Sequence, residues 1–313
     1  MTRNDHVDIL MACYNGENFL AEQLQSLFNQ THQHFTLLIR DDGSTDNTLT
    51  IIEQFSRKYP KKIQVVPSNR RLGVKGNFSE LMKASQADYV MFSDQDDIWM
   101  AEKIEKSLEK LIEMETLCGC DMPLLVHTDL TVIDQNGAIK ADSFFKYTKL
   151  YPENFQTLNR FLTQNVVTGC ALIMNKTLCR LAYPIPQETF MHDWWVALVA
   201  SALGRVVSIA APIIHYRQHT SNALGAKKFG SWGHLKERLS NLWIEDEMKH
   251  NQAALLLRRY KDQLSSQNAE LIQSYLRLKK IGWFGGRFSI IKNQFYKSGF
   301  LRNLVAFFVK VQP

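Results

Sequence analysis

Short apolar segments alternate with amphipathic ones from residue 7 onward, and this alternation restricts the possible folds most strongly. Residues 7–12, 35–40, 63–66 and 89–92 are apolar runs, and helix-like segments follow at 19–29, 48–58, 77–85 and 101–118. Continuous apolar runs of this length are typical of strands buried on both faces. Because strands and helices alternate, we expect βαβ units, which build a mostly parallel central sheet flanked by helices.

The strand predicted at 89–92 runs directly into three carboxylates, Asp94, Asp96 and Asp97. In open α/β sheets, ligands bind at the carboxyl ends of the strands. Carboxylates this close repel one another unless a cation lies among them, and oxygen ligands in a D-x-D spacing suit Mg²⁺ or Mn²⁺. The alternative is an acidic turn that caps the next helix.

A second acidic pair, Asp41 and Asp42, follows the strand predicted at 35–40, and a basic loop lies between the two acidic clusters at 69–76. A nucleotide needs a carboxylate for its base or ribose, a metal for its diphosphate and often a cation nearby. The glycine fingerprint of dinucleotide-binding folds and the P-loop are both missing from the first turn. The pattern therefore favours a bound nucleotide but argues against a dehydrogenase or an ATPase.

His192 and Asp193 open a predicted helix, directly before Trp194 and Trp195. A helix N-terminus stabilises a carboxylate, and apolar walls raise the pKa of a carboxyl group toward use as a base. Aromatic faces also suit sugar rings. The alternatives are that Asp193 only caps the helix and that both tryptophans belong to the core.

Arg217 and His219 follow the last predicted strand, where they could face a diphosphate or a metal. A solvated basic loop is the alternative for each of them.

The net charge of +6 is unevenly distributed along the 313 residues. Eight basic residues and no acidic ones follow Glu270, so the first 270 residues carry a net charge of −2. This distribution argues against nucleic acid as a partner and for a tail that meets an anionic surface. Five scattered cysteines and an N-terminus without the apolar stretch of a signal peptide predict reduced thiols and a cytoplasmic protein.

The tail also has amphipathic character. Helices are predicted at 232–242, 245–263 and 268–280, and in the last thirty residues apolar side chains recur at helical spacing among basic ones. The two apolar faces comprise Phe284, Phe288, Ile291 and Phe295, then Phe300, Leu301, Leu304, Phe307 and Phe308, with Arg287, Lys292, Arg302 and Lys310 beside them. Basic amphipathic helices of this kind lie on membrane surfaces, so residues 283–313 are expected to bind one. Packing on the catalytic domain or in a homodimer is the alternative.

Together these motifs resemble glycosyltransferase family 2, whose members are inverting enzymes of the GT-A fold. The resemblance rests on residues 11–16 (MACYNG), 40–46 (RDDGSTD), 93–99 (SDQDDIW) and 192–195 (HDWW), which occur in the family's order. Residues 165–170 (NVVTGC) and 216–222 (YRQHTSN) are similar to the bacterial rhamnosyltransferase branch. The family resemblance implies a Rossmann-like catalytic domain over residues 1–225 and a helical extension over 226–313.

The resemblance also implies roles. Asp193 would be the general base, although the family often has Glu-Asp where this chain has His192-Asp193. Asp94 and Asp96 would bind Mg²⁺ or Mn²⁺, and His219, from its position after the last strand, is a further candidate ligand. Asp41 and Asp42 would contact the base and ribose of the donor, and Asp97 would shape its pocket. The other donor-binding candidates are Ala12, Tyr14, Asn15, Lys75, Asp94, Gln95, Trp99 and Arg217.

The sequence therefore predicts a metal-dependent inverting glycosyltransferase. The favoured donor is dTDP-L-rhamnose, and the favoured acceptor is a lipid-linked saccharide at the inner face of the bacterial plasma membrane. A UDP-hexose or UDP-N-acetylhexosamine transferase is the alternative within the same fold. A non-catalytic protein that binds nucleotide sugars or glycans is the alternative from another class.

Overall fold

The computed structural model describes residues 5–219 and 233–308 of the chain. Strands and helices alternate through the first part, as predicted. The elements are β1 (Val7–Cys13), α1 (Leu20–Phe28), β2 (Phe35–Asp41), α2 (Thr48–Lys58), β3 (Ile63–Val65), α3 (Gly73–Ala84) and β4 (Tyr89–Ser93).

The next part adds strands that close the sheet and helices that cover it. The elements are β5 (Ile98–Trp99), α4 (Lys103–Cys118), β6 (Leu124–Asp134), β7 (Ile139–Ala141), α5 (Phe144–Thr148), α6 (Leu158–Thr163), β8 (Leu172–Asn175), α7 (Lys176–Ala182), α8 (His192–Leu203) and β9 (Arg205–Gln218).

The described strands form one sheet in the order β3-β2-β1-β4-β8-β6-β9-β5, with β7 paired to β6. Strands β1, β2, β3, β4, β6 and β9 share one direction, whereas β8 lies antiparallel between β4 and β6. The parallel register sets Cys13 beside Asp41 and Met11 beside Ser93. The turn after β1 is therefore flanked by both acidic loops at the carboxyl edge of the sheet.

Strands β6 and β9 are the longest of the described strands, and each continues without a break, β6 over Leu124–Asp134 and β9 over Arg205–Gln218. In the sheet, Pro212 lies opposite Asp129, where the register of β6 and β9 shifts, and a proline is tolerated at such an irregularity.

Alternate side chains of the central strands feed two buried clusters, one on each face of the sheet. On β1, Leu10 joins the cluster that contains Trp195, while Ile9 and Met11 join the cluster that contains Leu24. Burial of one such side chain is worth about 1.5–3 kcal/mol, so a shift of one residue along the strand would be strongly disfavoured.

The tail is helical, as predicted, and comprises α9 (Gly233–Arg259), α10 (Ser266–Arg277), α11 (Trp283–Lys292) and α12 (Phe300–Phe308). The two helices predicted over 232–263 are one helix, α9. Leu256 on α9 and Ile272 on α10 share a buried cluster with Trp195 of α8. Among the described residues, no helix has both the length and the apolar character needed to cross a membrane. The predicted boundary at 225/226 and Lys310 lie outside the described residues.

Candidate active site

Hydrogen bonds hold the turn after β1 against the turn after β2. The amide of Asn15 donates to Ser44 Oγ at 2.9 Å, and the amide of Thr45 donates back to Asn15 Oδ1 at 2.9 Å. The amide of Gly16 donates to Thr48 Oγ1 at 2.7 Å. Asn15 has a φ of +48°, which asparagine adopts more readily than most residues. The two turns predicted to bind the donor are therefore fixed relative to each other.

The carboxylates of Asp41 and Asp42 organise the loops around them. Asp41 Oδ2 accepts a hydrogen bond from the amide of Ser44 at 2.8 Å. Asp42 is buried, and its two oxygens accept hydrogen bonds from the amides of Leu72 and Gly73, each at 2.8 Å. These bonds hold the basic loop against the edge of the sheet. Contact of either carboxylate with a base or ribose stays a prediction.

Gln95 joins the acidic loop after β4 to the turn after β1. The amide of Tyr14 donates to Gln95 Oε1 at 2.9 Å, and Gln95 Nε2 donates to the carbonyl of Tyr14 at 3.0 Å. A Cβ on Gly16 would lie 2.4 Å from Gln95 Oε1, so only glycine leaves room for this contact. The exposed ring of Tyr14 faces the guanidinium of Arg71 at 4.0 Å. Tyr14 and Gln95, both predicted donor contacts, thus lie together.

Asp96 and His219, two of the predicted metal ligands, are in direct contact. Asp96 Oδ2 lies 2.7 Å from His219 Nε2, and Phe19 stacks on the imidazole at 4.8 Å. The two side chains are only 14% and 11% exposed. A carboxylate oxygen and an imidazole nitrogen are both ligands that Mn²⁺ accepts, and Mg²⁺ prefers the oxygen.

Asp94, the third predicted ligand, belongs to a buried cluster with Asp97 and Cys170. One ligand atom from each lies within 4.8 Å of the others. Burial, together with the charges of Asp96 and Asp193, raises the pKa of Asp94 to about 7. Burial, together with the charges of Asp96 and Asp94, raises the pKa of Asp97 well above its usual range. The oxygen Asp97 Oδ2 is buried without a hydrogen-bond partner among the described residues. Excess negative charge and an unpaired oxygen fit a cation at this loop.

Two buried residues of this region were missed by sequence reasoning, because neither belongs to the D-x-D pattern. Cys170 follows the polar loop 165–169, far along the chain from Asp94. Lys103 is fully buried at the start of α4, and burial lowers its pKa well below the usual value. Its Nζ lies 3.0 Å from the centre of the Trp99 ring, and the charges of Asp97 and Asp94 oppose the lowering of its pKa.

Arg217 fixes the acidic loop from the end of β9. Its amide donates to Asp97 Oδ1 at 3.1 Å, and its Nε donates to the carbonyl of Asp96 at 2.9 Å. Its remaining guanidinium nitrogens donate to Glu22 Oε2 at 2.5 Å and to the carbonyl of Gln135 at 3.1 Å. The side chain is 2% exposed. It therefore joins three segments of the site, and its predicted contact with the donor diphosphate stays a prediction.

Asp193, the predicted base, lies in the first turn of α8. Helix α8 begins at His192 with Met191 as its N-cap, so Asp193 is not the cap. The amide of Trp194 donates to Asp193 Oδ1 at 2.6 Å, and the Gly169 amide and the Asn165 side chain also bond to the carboxylate. Burial raises the pKa of Asp193 to about 6, while these hydrogen bonds limit the rise.

The predicted base and the predicted metal ligands belong to one site. The charge of Asp193 contributes to the raised pKa of Asp94, so the two carboxylates are electrostatically coupled. The contact of Asn165 and Gly169 with Asp193 is not predicted from the sequence, where their segment is identified only by its family resemblance. A polar residue and a glycine in one loop suggest a binding loop, but their partner in α8 lies more than twenty residues away.

His192, where the family often has glutamate, faces the core. Its ring stacks on Phe78 at 4.1 Å and contacts Phe92 at 5.4 Å. Burial lowers its pKa to about 3, so the imidazole is neutral near pH 7. Neither ring nitrogen has a hydrogen-bond partner within the described ranges. A Cβ on Gly169 would lie 2.8 Å from His192 Nε2, so the imidazole packs tightly under the loop that holds Asp193.

Several residues predicted to contact the substrates are buried or bonded to other parts of the protein. Trp99 is 3% exposed and packs under Lys103. Trp194 and Trp195 are core residues whose indole nitrogens donate to backbone carbonyls, so the suggestion of an aromatic surface for sugar rings was wrong. Lys75 donates to the carbonyls of Gln187 and Thr189, which ties α3 to the segment before α8. Donor contacts by Trp99, Lys75 and Ala12 stay predictions.

A cavity of about 380 Å³ adjoins His219, and polar side chains line it. Its lining comprises Asp134, Gln135, Asn136, Lys140, Gln218 and His219. Amide and ammonium groups of this kind can form hydrogen bonds with sugar hydroxyls or phosphate oxygens.

The glycosyl transferase family 2 model matches residues 8–177. The dTDP-rhamnosyl transferase RfbG of Shigella flexneri is 32% identical over 228 residues, which cover 69% of this chain and 74% of that protein. The UDP-Glc:alpha-D-GlcNAc-diphosphoundecaprenol beta-1,3-glucosyltransferase WfgD of Escherichia coli is 30% identical over 190 residues. These cover 60% of this chain and 68% of that protein.

Solved structures also match across most of the chain. S. aureus TarS 1-349 in complex with UDP has a TM-score of 0.57 at 18% identity, covering 90% of this chain and 73% of that chain. The same protein in complex with UDP-GlcNAc has a TM-score of 0.54 at 18% identity, covering 92% and 88%. At this level of identity the likeness concerns the fold, and it confirms the predicted GT-A architecture.

Proposed function

Because the chain belongs to glycosyl transferase family 2, we propose that it transfers L-rhamnose from dTDP-L-rhamnose to a hydroxyl group of a lipid-linked glycan. Such a step belongs to the synthesis of bacterial cell-wall, capsule or O-antigen polysaccharide. The name of the Shigella relative supports the rhamnose donor. A UDP-hexose or UDP-N-acetylhexosamine donor is the second candidate, favoured by the E. coli relative and by the UDP complexes of TarS.

One observation carries the proposal. The proposed base and the proposed ligands meet at the loop 165–170. A Cβ on Gly169 would lie 3.6 Å from Asp193 Cβ, and the next residue, Cys170, has a ligand atom within 4.8 Å of Asp94 and Asp97. Transfer from a nucleotide sugar needs these two elements, since one side must accept a proton while the other stabilises a departing diphosphate.

On the acceptor side, the Asp193 carboxylate takes the proton of the attacking hydroxyl as the new glycosidic bond forms. With a pKa of about 6, Asp193 is mainly ionised at neutral pH and ready to accept it. The bond between the sugar carbon and the diphosphate oxygen breaks, and the nucleoside diphosphate leaves with the electron pair. This direct displacement inverts the configuration and requires no second carboxylate as a covalent nucleophile.

On the leaving-group side, Asp94, Asp96 and His219 are the residues that would hold Mg²⁺ or Mn²⁺. The ion would supply positive charge that stabilises the leaving diphosphate. Arg217 and Gln95 keep the acidic loop in place through their bonds to Asp96, Asp97 and Tyr14.

We place the reaction at the cytoplasmic face of the plasma membrane, where residues 283–313 would bind the surface that carries the lipid-linked acceptor. The basic tail and the lipid-linked substrate in the E. coli relative's name support this location.

Thermal unfolding with a panel of nucleotide sugars in Mn²⁺ or Mg²⁺ tests the donor, because a ligand that binds only the native state raises the melting temperature. We expect dTDP-L-rhamnose to raise it and EDTA to abolish the rise. A shift with UDP-sugars alone would replace the rhamnose donor by the second candidate. No shift with any donor would favour a non-catalytic glycan-binding protein.

A further inference from the structure

Helices α11 and α12 expose an unusual number of large apolar side chains. Phe284 is 84% exposed, Phe288 70% and Phe300 78%. Single exposed apolar residues are common, but a set on two consecutive helices marks an interaction surface. We name this set the apolar surface of the tail; it comprises Trp283, Phe284, Phe288, Ile291, Phe300, Leu301 and Leu304.

The composition of this surface differs from the one predicted from spacing. Phe295 lies beyond the end of α11, is 6% exposed and packs edge-on against Tyr275 at 5.3 Å. Arg287 is 7% exposed and lies near the ring of Trp283, at 5.2 Å. Phe295 therefore anchors the segment after α11 to α10, and neither Phe295 nor Arg287 belongs to the exposed apolar face. The side chains of Phe307 and Phe308 are outside the part of the chain that the structure describes.

The charges of this part of the chain indicate the occupant of the surface. No acidic residue follows Glu270, and the exposed basic residues include Arg277 at the end of α10, Lys280 between α10 and α11, and Lys292 at the end of α11. Pairing with a second copy around a two-fold axis would bring these like charges together. Anionic lipid headgroups complement them, while the acyl region accommodates the aromatic and aliphatic side chains.

Hydrogen bonds tie this surface to the region that leads to Asp193. The carbonyl of Asn293 accepts from Asn159 Nδ2 at 3.1 Å, and the carbonyl of Tyr296 accepts from Thr163 Oγ1 at 3.0 Å. The amide of Ser298 donates to Gln164 Oε1 at 2.7 Å. Gln164 directly precedes Asn165, whose side chain bonds to the predicted base.

We propose that the apolar surface of the tail inserts into an anionic lipid surface, and that residues 293–298 transmit this docking to the loop 164–169 that holds Asp193. The biological purpose of the docking rests on the proposed function, because a lipid-linked acceptor would then meet the base at the membrane. The docking itself is independent of any donor or acceptor.

Vesicle co-sedimentation of the full chain tests the lipid surface. The probes are phosphatidylcholine vesicles with and without phosphatidylglycerol, and the variant is Phe284→Glu with Phe288→Glu. The matched control is Leu117→Glu with Val65→Glu, which adds the same charges at exposed apolar positions outside the tail. We expect binding to the anionic vesicles, a loss of about tenfold or more in the tail variant, and wild-type binding in the control.

Three results would overturn the lipid surface. The wild type could fail to sediment with anionic vesicles, or the tail variant could bind as well as the control. Size-exclusion chromatography could also show that the wild type and the control are dimers while the tail variant is a monomer. This result would assign the surface to a second copy.

Hydrogen exchange tests the transmission to the active-site loop. We expect vesicles to slow amide exchange across residues 159–169 in the wild type and in the control, but not in the tail variant. Unchanged exchange in the wild type, despite vesicle binding, would refute the transmission. Donor-induced thermal shifts should be equal in all three proteins. If dTDP-L-rhamnose produces no shift while the vesicle results hold, the proposed donor is wrong and the lipid surface stands.

Discussion

Asp96 and His219 are 123 positions apart in the chain, yet Asp96 Oδ2 and His219 Nε2 lie 2.7 Å apart. This contact joins the loop after β4 to the residue directly after β9. The sequence predicts both residues as metal ligands. Because the contact lies beside Asp94 and its partners, the final strand of the sheet completes the acidic site.

Replacing His219 with alanine should weaken metal-dependent donor binding. The change removes one proposed ligand together with its contact to Asp96, so the apparent affinity for Mn²⁺ should fall by at least about tenfold. Titration of the donor-induced thermal shift with Mn²⁺ measures this affinity. His34→Ala, at an exposed histidine before β2, should behave like the wild type. Equal Mn²⁺ affinity in both variants would remove His219 from the ligand set.

Replacing Asp193 with asparagine should abolish transfer while leaving donor binding intact. An amide cannot accept the hydroxyl proton, and loss of a general base typically costs about 10²–10⁴-fold in rate. Turnover assays and donor-induced thermal shifts measure the two effects separately. Normal turnover by Asp193→Asn would mean that another group is the base.

The same substitution should stabilise the protein above pH 6. The folded-state pKa of Asp193 is raised to about 6 from its ordinary 3.8, so the folded chain binds more protons than the unfolded chain between these values. The free energy of unfolding therefore falls as the pH rises through that interval. Asp193→Asn should recover about 1–2 kcal/mol at pH 8, measured by denaturant unfolding. The exposed Asp121→Asn should recover nothing.

Replacing Asn165 with alanine should move the acidic limb of the pH–rate profile to higher pH. The Asn165 side chain stabilises the ionised form of Asp193, and its loss should raise the pKa of that carboxyl group above about 6. The profile of kcat/KM against pH measures the shift. Asn154→Ala, at an exposed asparagine in the preceding segment, serves as the control. A lower rate with an unmoved limb would indicate a purely structural role for Asn165.

The contact between Gly16 and Gln95 should appear as strong non-additivity. Gly16→Ala would place a methyl group 2.4 Å from Gln95 Oε1, so the Gln95 side chain must leave its contact with Tyr14 and donor affinity should fall by up to about tenfold. In a Gln95→Ala background the same change should cost little, because the obstacle is gone. Donor thermal shifts across this double-mutant cycle measure the coupling. Additive effects would show that the two residues act independently.

The sequence predicted the alternation of the first half because strand and helix periods differ clearly there. It also brought the acidic loops together correctly, since parallel strands on both sides of β1 end at one edge of the sheet. The full length of strands β6 and β9 cannot be predicted from the sequence, because their continuity depends on pairing across Pro212 and Asp129, a non-local event.

Side-chain direction explains the other errors. Trp194 and Trp195 follow Asp193 in the sequence, but each turns into the core, where a backbone carbonyl accepts a hydrogen bond from its indole nitrogen. Phe295 fitted the helical spacing, yet α11 ends at Lys292 and the chain turns Phe295 inward. These outcomes depend on tertiary packing, which spacing along one segment does not contain.

The position of β9 within the sheet has a consequence for the order in which the enzyme matures. Strand β9 lies between β6 and β5, and it carries Arg217 before His219. During translation, the acidic residues of the loop after β4 are incorporated well before the residues of β9. A nascent chain that stops before residue 205 therefore lacks both Arg217, which fixes that loop, and His219, which meets Asp96. Competence to bind the proposed nucleotide sugar and metal should thus arise late in synthesis, when β9 inserts between its two neighbours.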